Sequence, residues 1–180
     1  TTAARILDGQ RKGMAGEEHS LSFGHFPFTG LMKTYNVDAQ TPDSAGTMTA
    51  IISGVKTDVG VVGVDEDVIL EDCSSMAGNQ LITALELAEI AGLSTGILST
   101  ARITHATPAA AYAKSPSRDW EDISNMPLEA VVAGCEDIAL QLINFEGNLE
   151  ARFEGADING IDVVMGGGRR HFLPRDAESN

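Results

Sequence analysis

Ile161-Asp162-Val163-Val164-Met165-Gly166-Gly167-Gly168 is a short, continuous apolar run that ends in three glycines. It reads as a buried strand of a parallel sheet running into a glycine turn. A second buried strand is expected over residues 93–100, where small and branched side chains alternate. Helices are expected around these strands. One is short and lies at the amino end; one opens at Asp43 or Ser44, after Pro42 has pushed Thr41 toward extended geometry, and closes at Gly54. Over residues 79–91, Leu81, Ile82, Leu85, Ala88 and Ile90 keep helical spacing until Gly92 stops the run. Pro108 starts a helix reaching about Ala113, and Pro127 starts a long amphipathic helix ending near Gly147. Residues 30–35 read as a half-buried strand and residues 59–65 as a loop or short strand. Helix alternating with strand defines an α/β chain with a mostly parallel sheet.

Composition limits what such a chain does. At 180 residues it has the length of one ordinary domain, and no internal repeat or low-complexity segment divides it. Hydrophobic residues make up 43% and charged residues 21%, which excludes a disordered chain, a collagen-like fibre and a coiled coil. Glycine is abundant, 19 of 180, as the strand-to-helix turns of an α/β protein require. The net charge of −14 repels phosphate backbones and anionic bilayers, so nucleic acid is not an expected partner. No apolar run approaches the roughly 18 residues of a membrane span. Thr1-Thr2-Ala3-Ala4-Arg5 carries neither an initiator methionine nor a signal pattern, and Arg175–Asn180 is polar, so the chain reads as a piece of something longer.

Four places could carry chemistry. Ser44, behind Asp43 at a helix mouth, puts a hydroxyl where backbone N–H groups and the helix dipole favour an anion; equally, either residue serves as a plain helix cap. His105 in His105-Ala106-Thr107-Pro108 follows a strand, at the sheet edge where open α/β proteins bind ligands, or else it is a hydrogen-bonded structural histidine, with Thr107 capping the next helix. Arg118 in Ser117-Arg118-Asp119-Trp120 offers a planar fork for phosphate or carboxylate, or a surface salt bridge to Asp119 or Glu121. Gly166–Gly168 with Arg169 and Arg170 lacks the Gly-Lys-Ser/Thr ending of a phosphate loop and reads as a tight turn. Cys73 and Cys135 form no CxxC or Cys/His cluster, which excludes a zinc finger and leaves a disulfide or two buried thiols.

Thr41-Pro42-Asp43-Ser44-Ala45-Gly46-Thr47, taken with Ser53-Gly54-Val55-Lys56-Thr57, resembles the nucleophile region of alkaline phosphatases. Thr104-His105-Ala106-Thr107-Pro108-Ala109-Ala110, Ser117-Arg118-Asp119-Trp120 and Val164-Met165-Gly166-Gly167-Gly168-Arg169 resemble the same family in the same order, so the likeness runs to about Pro174. It implies a three-layer α/β/α sandwich with a mostly parallel central sheet, of which only part is present. It also implies hydrolysis of a broad range of phosphomonoesters through a phosphoserine, in a site of two zinc ions and one magnesium ion.

Residue by residue, the resemblance makes Ser44 the nucleophile and a zinc ligand, Arg118 the group that grips phosphate, and Asp43 the holder of Arg118. Thr107 resembles a hydroxyl ligand of magnesium and His105 its neighbour one layer out. The histidine at 105 is that of the animal and marine-bacterial branch, and Cys73–Cys135 resembles a disulfide of the animal-type enzymes. A homodimer in a periplasmic or extracellular setting is implied as well. The family's Asp-Gly-Met-Gly segment and its remaining Asp, Glu and His ligands would fall before residue 1 and beyond residue 180, so residues 1–180 are expected to be one domain's internal fragment, inactive alone. Two rivals stand beside this reading. One is a metal-independent serine esterase using Ser44 and His105, whose Gly-x-Ser-x-Gly elbow lacks its first glycine here; the other is a non-catalytic phosphate-binding fragment.

Overall fold

The computed structural model describes residues 2–174; the polar segment 175–180 lies outside the described residues. Two compact units are present, Thr1–Lys33 and Thr34–Asn180.

In the first unit, helix α1 spans Thr2–Arg11, where a helix is expected. The Arg5 guanidinium reaches across the following loop and donates to the carbonyls of Glu17 (2.6 Å) and His19 (2.5 Å). Asp8 accepts from Lys12 at 2.7 Å and pairs with His19 at 2.6 Å, which closes the loop on the helix. Residues 30–35 form no strand, and Leu31 and Met32 are exposed, contrary to the half-buried strand their pattern predicts.

The second unit holds the sheet and the site. Helix α2 (Ser44–Ser53) is capped by Asp43, whose side chain accepts from Gly46 N, and ends at Gly54 in the left-handed conformation (φ 80°), as both termini predict. Residues 59–65 form a loop with two isolated bridges, Val62 to Ser115 and Val64 to Gln80. Helix α3 covers Ala84–Ile90, shorter than the 79–91 expectation, because Thr83 and Glu86 form a reciprocal capping box that fixes the start. Strand β1 (Gly96–Arg102) pairs in parallel with β2 (Val163–Gly167), Gly96 opposite Val163 and Leu98 opposite Met165. An α/β chain with a parallel pair is thus present. Helix α4 (Ala106–Ala109) takes Pro108 in its first turn, but is shorter than expected, and His105, not Thr107, holds its cap position.

Two expectations fail for physical reasons. The long helix of residues 127–147 is three: α5 (Leu128–Val132), α6 (Ile138–Ile143) and α7 (Phe145–Arg152). Gly134 at φ +88° breaks the first, Asp137 caps the second by accepting from Leu140 N, and Asn144 separates the second from the third. The strands are also not buried: every residue of β2 is exposed, and Leu98 of β1 is 70% exposed. A parallel strand is buried only when both faces are covered, and among the described residues helices cover one. Alternation along β1 therefore puts Ile97 in the core with Ile103, Ala106, Ala109, Ile138, Phe145 and Leu149, and leaves Leu98 on the open face.

Cys73 and Cys135 form a disulfide, with Cα atoms 6.0 Å apart. Behind it lies a buried ion network: Glu86 accepts from Lys114 Nζ at 3.0 Å and from Arg152 Nη1 at 2.7 Å. No helix among the described residues is long and apolar enough to cross a membrane.

Candidate active site

Asp43 is placed by the start of α2, and its two carboxylate oxygens have different duties. Oδ1 accepts from Gly46 N at 2.9 Å and from the Asn36 side-chain amide at 3.2 Å, which caps the helix and turns the carboxylate. Oδ2 accepts from Gly60 N at 3.1 Å and from Arg118 Nη1 at 2.9 Å. Burial raises the carboxyl's pKa, but the hydrogen bonds from Gly46, Arg118 and Gly60 outweigh it, and the group sits below its ordinary value. Asp43 is therefore an anion, and both the capping and the ion-pairing roles are filled by one side chain.

Arg118 arrives from the other side of the same loop system. The Val62–Ser115 bridge aligns the two segments, and Arg118 N then donates to Gly60 O at 2.7 Å, so Gly60 touches both Asp43 and Arg118 through its own peptide groups. A surface salt bridge to Asp119 or Glu121, the alternative for Arg118 in the sequence, is not what forms. Arg118 turns to Asp43, and the Glu121 carboxylate is filled by Arg102, Thr104 and His171.

His105 completes the cluster, with Nε2 3.3 Å from Arg118 Nη2. A guanidinium only donates, so Nε2 is the acceptor and the ring is neutral. Burial, with the Arg118 and Arg102 charges added, holds its pKa below the ordinary histidine value. The other nitrogen, Nδ1, is buried without a partner among the described residues. Ser44 begins α2 directly after Asp43 and is half-buried, while Thr107 lies exposed in the first turn of α4. Arg118 thus contacts both Asp43 and His105, with Ser44 next to Asp43 in the chain and Thr107 two positions after His105. A cavity of about 520 Å³ lies elsewhere, lined by Cys73, Glu86, Tyr112, Lys114 and Arg152; none of the five site residues borders it.

Sequence reasoning missed three contributors. Asn36 and Gly60 support Asp43 from 7 and 17 positions away, and Glu121 holds the neighbouring Thr104 from 17 positions away. The Asn36 signal is weak at that distance, but Gly60 was findable: Val59-Gly60-Val61-Val62-Gly63 needs glycine where φ is +87° and +65°.

The metal expectation meets the structure only in part. Among the described residues no group of three or more His, Cys, Asp and Glu side chains is placed to hold a metal ion, whereas zinc takes three or four such ligands. The hydroxyls of Ser44 and Thr107 are oxygen donors and His105 Nδ1 is a spare nitrogen, but together they do not make a metal centre.

Comparison with known proteins sets this cluster in a family. The alkaline phosphatase family model matches residues 1–180, and the chain belongs to that family. It is 47% identical to the alkaline phosphatase of Gadus morhua over 175 residues, 97% of this chain and 34% of the cod protein. The chain thus spans about a third of the length of that relative. Among solved structures it superposes on a cold-active alkaline phosphatase from a psychrophilic Shewanella sp. with TM-score 0.60 and 27% identity, over 87% of this chain and 30% of the other. A variant alkaline phosphatase from the Antarctic bacterium TAB5, solved with Mg bound in its M3 site, shares the fold at TM-score 0.52 and 17% identity, over 92% of this chain and 60% of that one. The fold is accordingly the α/β fold of the alkaline phosphatases, present in part.

Proposed function

We propose that residues 1–180 form part of the single catalytic domain of a complete enzyme that hydrolyses phosphate monoesters to an alcohol and inorganic phosphate through a phosphoserine at Ser44. The observation that carries this reading is the Asp43–Arg118 pair at 2.9 Å, beside Ser44, in a chain 47% identical to an alkaline phosphatase over 97% of its length.

Asp43 takes one N–H of Arg118 Nη1 and His105 Nε2 faces one of Nη2, which holds the guanidinium still and leaves three of its five N–H groups for phosphate oxygens. Charge in phosphoryl transfer spreads over those oxygens, and a fork held still stabilises it without reorganising. The Ser44 oxygen bonds to phosphorus as the ester oxygen leaves with the alcohol. Water then breaks the Oγ–P bond, which restores the hydroxyl and releases phosphate. His105 is neutral and faces Arg118, so it adds no competing charge and is not turned as the base that a serine esterase would need.

The family's metals are part of the same reading: two zinc ions and one magnesium ion, with Ser44 offering an oxygen toward zinc, Thr107 a hydroxyl toward magnesium, His105 one layer behind it, and the other ligands supplied from outside the described residues. Phosphomonoesters of many alcohols fit, because Arg118 addresses the phosphate and not the alcohol. The disulfide supports a periplasmic or extracellular setting, since such bonds persist in oxidising compartments; a homodimer is the assembly proposed. The test is metal removal from the complete enzyme. Chelation abolishes turnover of a simple aryl phosphate, and zinc with magnesium restores it; activity that survives chelation establishes the serine-esterase alternative instead.

A further inference from the structure

The Arg118–His105 contact joins the two loops that flank α4. One follows β1 and carries Thr104 and His105; the other carries Arg118 and runs on to Glu121. Glu121 is 12% exposed and its carboxylate is shared among three elements. It takes the Arg102 guanidinium on both oxygens, Nε to Oε2 at 2.8 Å and Nη2 to Oε1 at 2.6 Å. It accepts from the Thr104 hydroxyl at 2.6 Å, one residue before His105. It also meets His171 Nε2 at 3.2 Å, in the turn after β2, while His171 Nδ1 pairs with Asp122 at 2.7 Å.

We infer that Glu121 is a positioning residue that holds Arg118 and His105 in register by locking the end of β1 to the loop of Arg118. This rests on the reading of Arg118 as the phosphate-gripping group. Thr104 is fully buried, so its hydroxyl has no water to replace the carboxylate. Arg102, three residues before His105, has its guanidinium paired with Glu121. Loss of the Glu121 charge would release the strand end and add an unbalanced positive charge beside the site. The Arg118 guanidinium is bound to Asp43 and His105 and not to Glu121, so the effect travels through Thr104 and the loop backbone.

The test is a double-mutant cycle in the complete, metal-loaded enzyme, read as the inhibition constant of inorganic phosphate and as kcat/KM for an aryl phosphate. Glu121→Gln, which keeps the shape and removes the charge, weakens phosphate inhibition about tenfold, the loss of roughly one charge-assisted hydrogen bond. In the Arg118→Ala background the same substitution changes phosphate inhibition less than twofold, because the group it positions is gone. Equal effects in both backgrounds, or no effect of Glu121→Gln on phosphate inhibition, overturn the inference alone. Should Glu121→Gln fail to fold, Thr104→Val removes one contact and carries the same expectation and the same contradiction. Arg118→Ala without any loss of phosphate affinity overturns the functional reading itself, and the inference with it.

Discussion

Asp43 and Arg118 are 75 positions apart in the chain and 2.9 Å apart in space. The contact is built from peptide groups: Gly60 gives its N–H to Asp43 and takes the N–H of Arg118, so helix start, glycine loop and arginine loop close on one residue.

Asp43→Asn separates the two duties of this carboxylate, because asparagine caps a helix about as well as aspartate but leaves Arg118 without its anion. In the complete enzyme kcat/KM for an aryl phosphate falls about tenfold while the helix cap is kept. Asp43→Ala loses the cap as well and costs about 1 kcal/mol more in stability.

The acid limb of stability follows from the same group. The folded-state pKa of Asp43 lies below its ordinary value of 3.8, so its contribution is full above that value and is lost as pH falls through the lower, folded value. Urea midpoints of the wild type should drop more steeply below pH 4 than those of Asp43→Asn.

Lys114 gives a pH dependence of opposite sense. It is 7% exposed, and burial lowers its pKa from 10.5 to about 8, against the pull of the Glu86 carboxylate. Between those two values the unfolded chain holds more protons than the folded one, so stability rises with pH across that window. Relative to Lys114→Met, the wild-type urea midpoint should climb between pH 7.5 and pH 10.

Gly46 shows how tightly the turn around Ser44 is packed. A Cβ there would stand 2.0 Å from Asn36 Nδ2 and 2.8 Å from Asp58 O. Gly46→Ala displaces the Asn36 amide that steadies Asp43 and should cost about 3 kcal/mol of stability, measured by chemical denaturation, together with most of the phosphatase activity.

Reduction of Cys73–Cys135 opens a loop spanning 62 positions. In the chain-entropy description this is worth about 4 kcal/mol. The Cys73→Ser/Cys135→Ser enzyme should therefore unfold at correspondingly lower urea, with little change in phosphate inhibition, because the disulfide lies away from Arg118.

What could be read from the sequence was local. Asp43 and Gly54 announce the ends of α2 because capping depends on neighbours within four residues, and the glycine run after Met165 marks the end of β2. Gly134 and Asp137 also broke the expected long helix locally, yet apolar spacing alone passed over them. Burial of the strands was misjudged because it is decided by what covers the sheet, not by the strand's own residues. The contacts of the site lay furthest from view: Asn36 to Asp43, Gly60 to Arg118 and Glu121 to Thr104 are set by how loops fold back, which no periodicity records.

The central claim is a covalent phosphoryl group on Ser44. The most direct measurement incubates the complete enzyme with radiolabelled inorganic phosphate, quenches it in acid and maps the label by peptide. The account predicts label on the peptide that contains Ser44 and none in Ser44→Ala; label on a different residue, or undiminished labelling of Ser44→Ala, contradicts it.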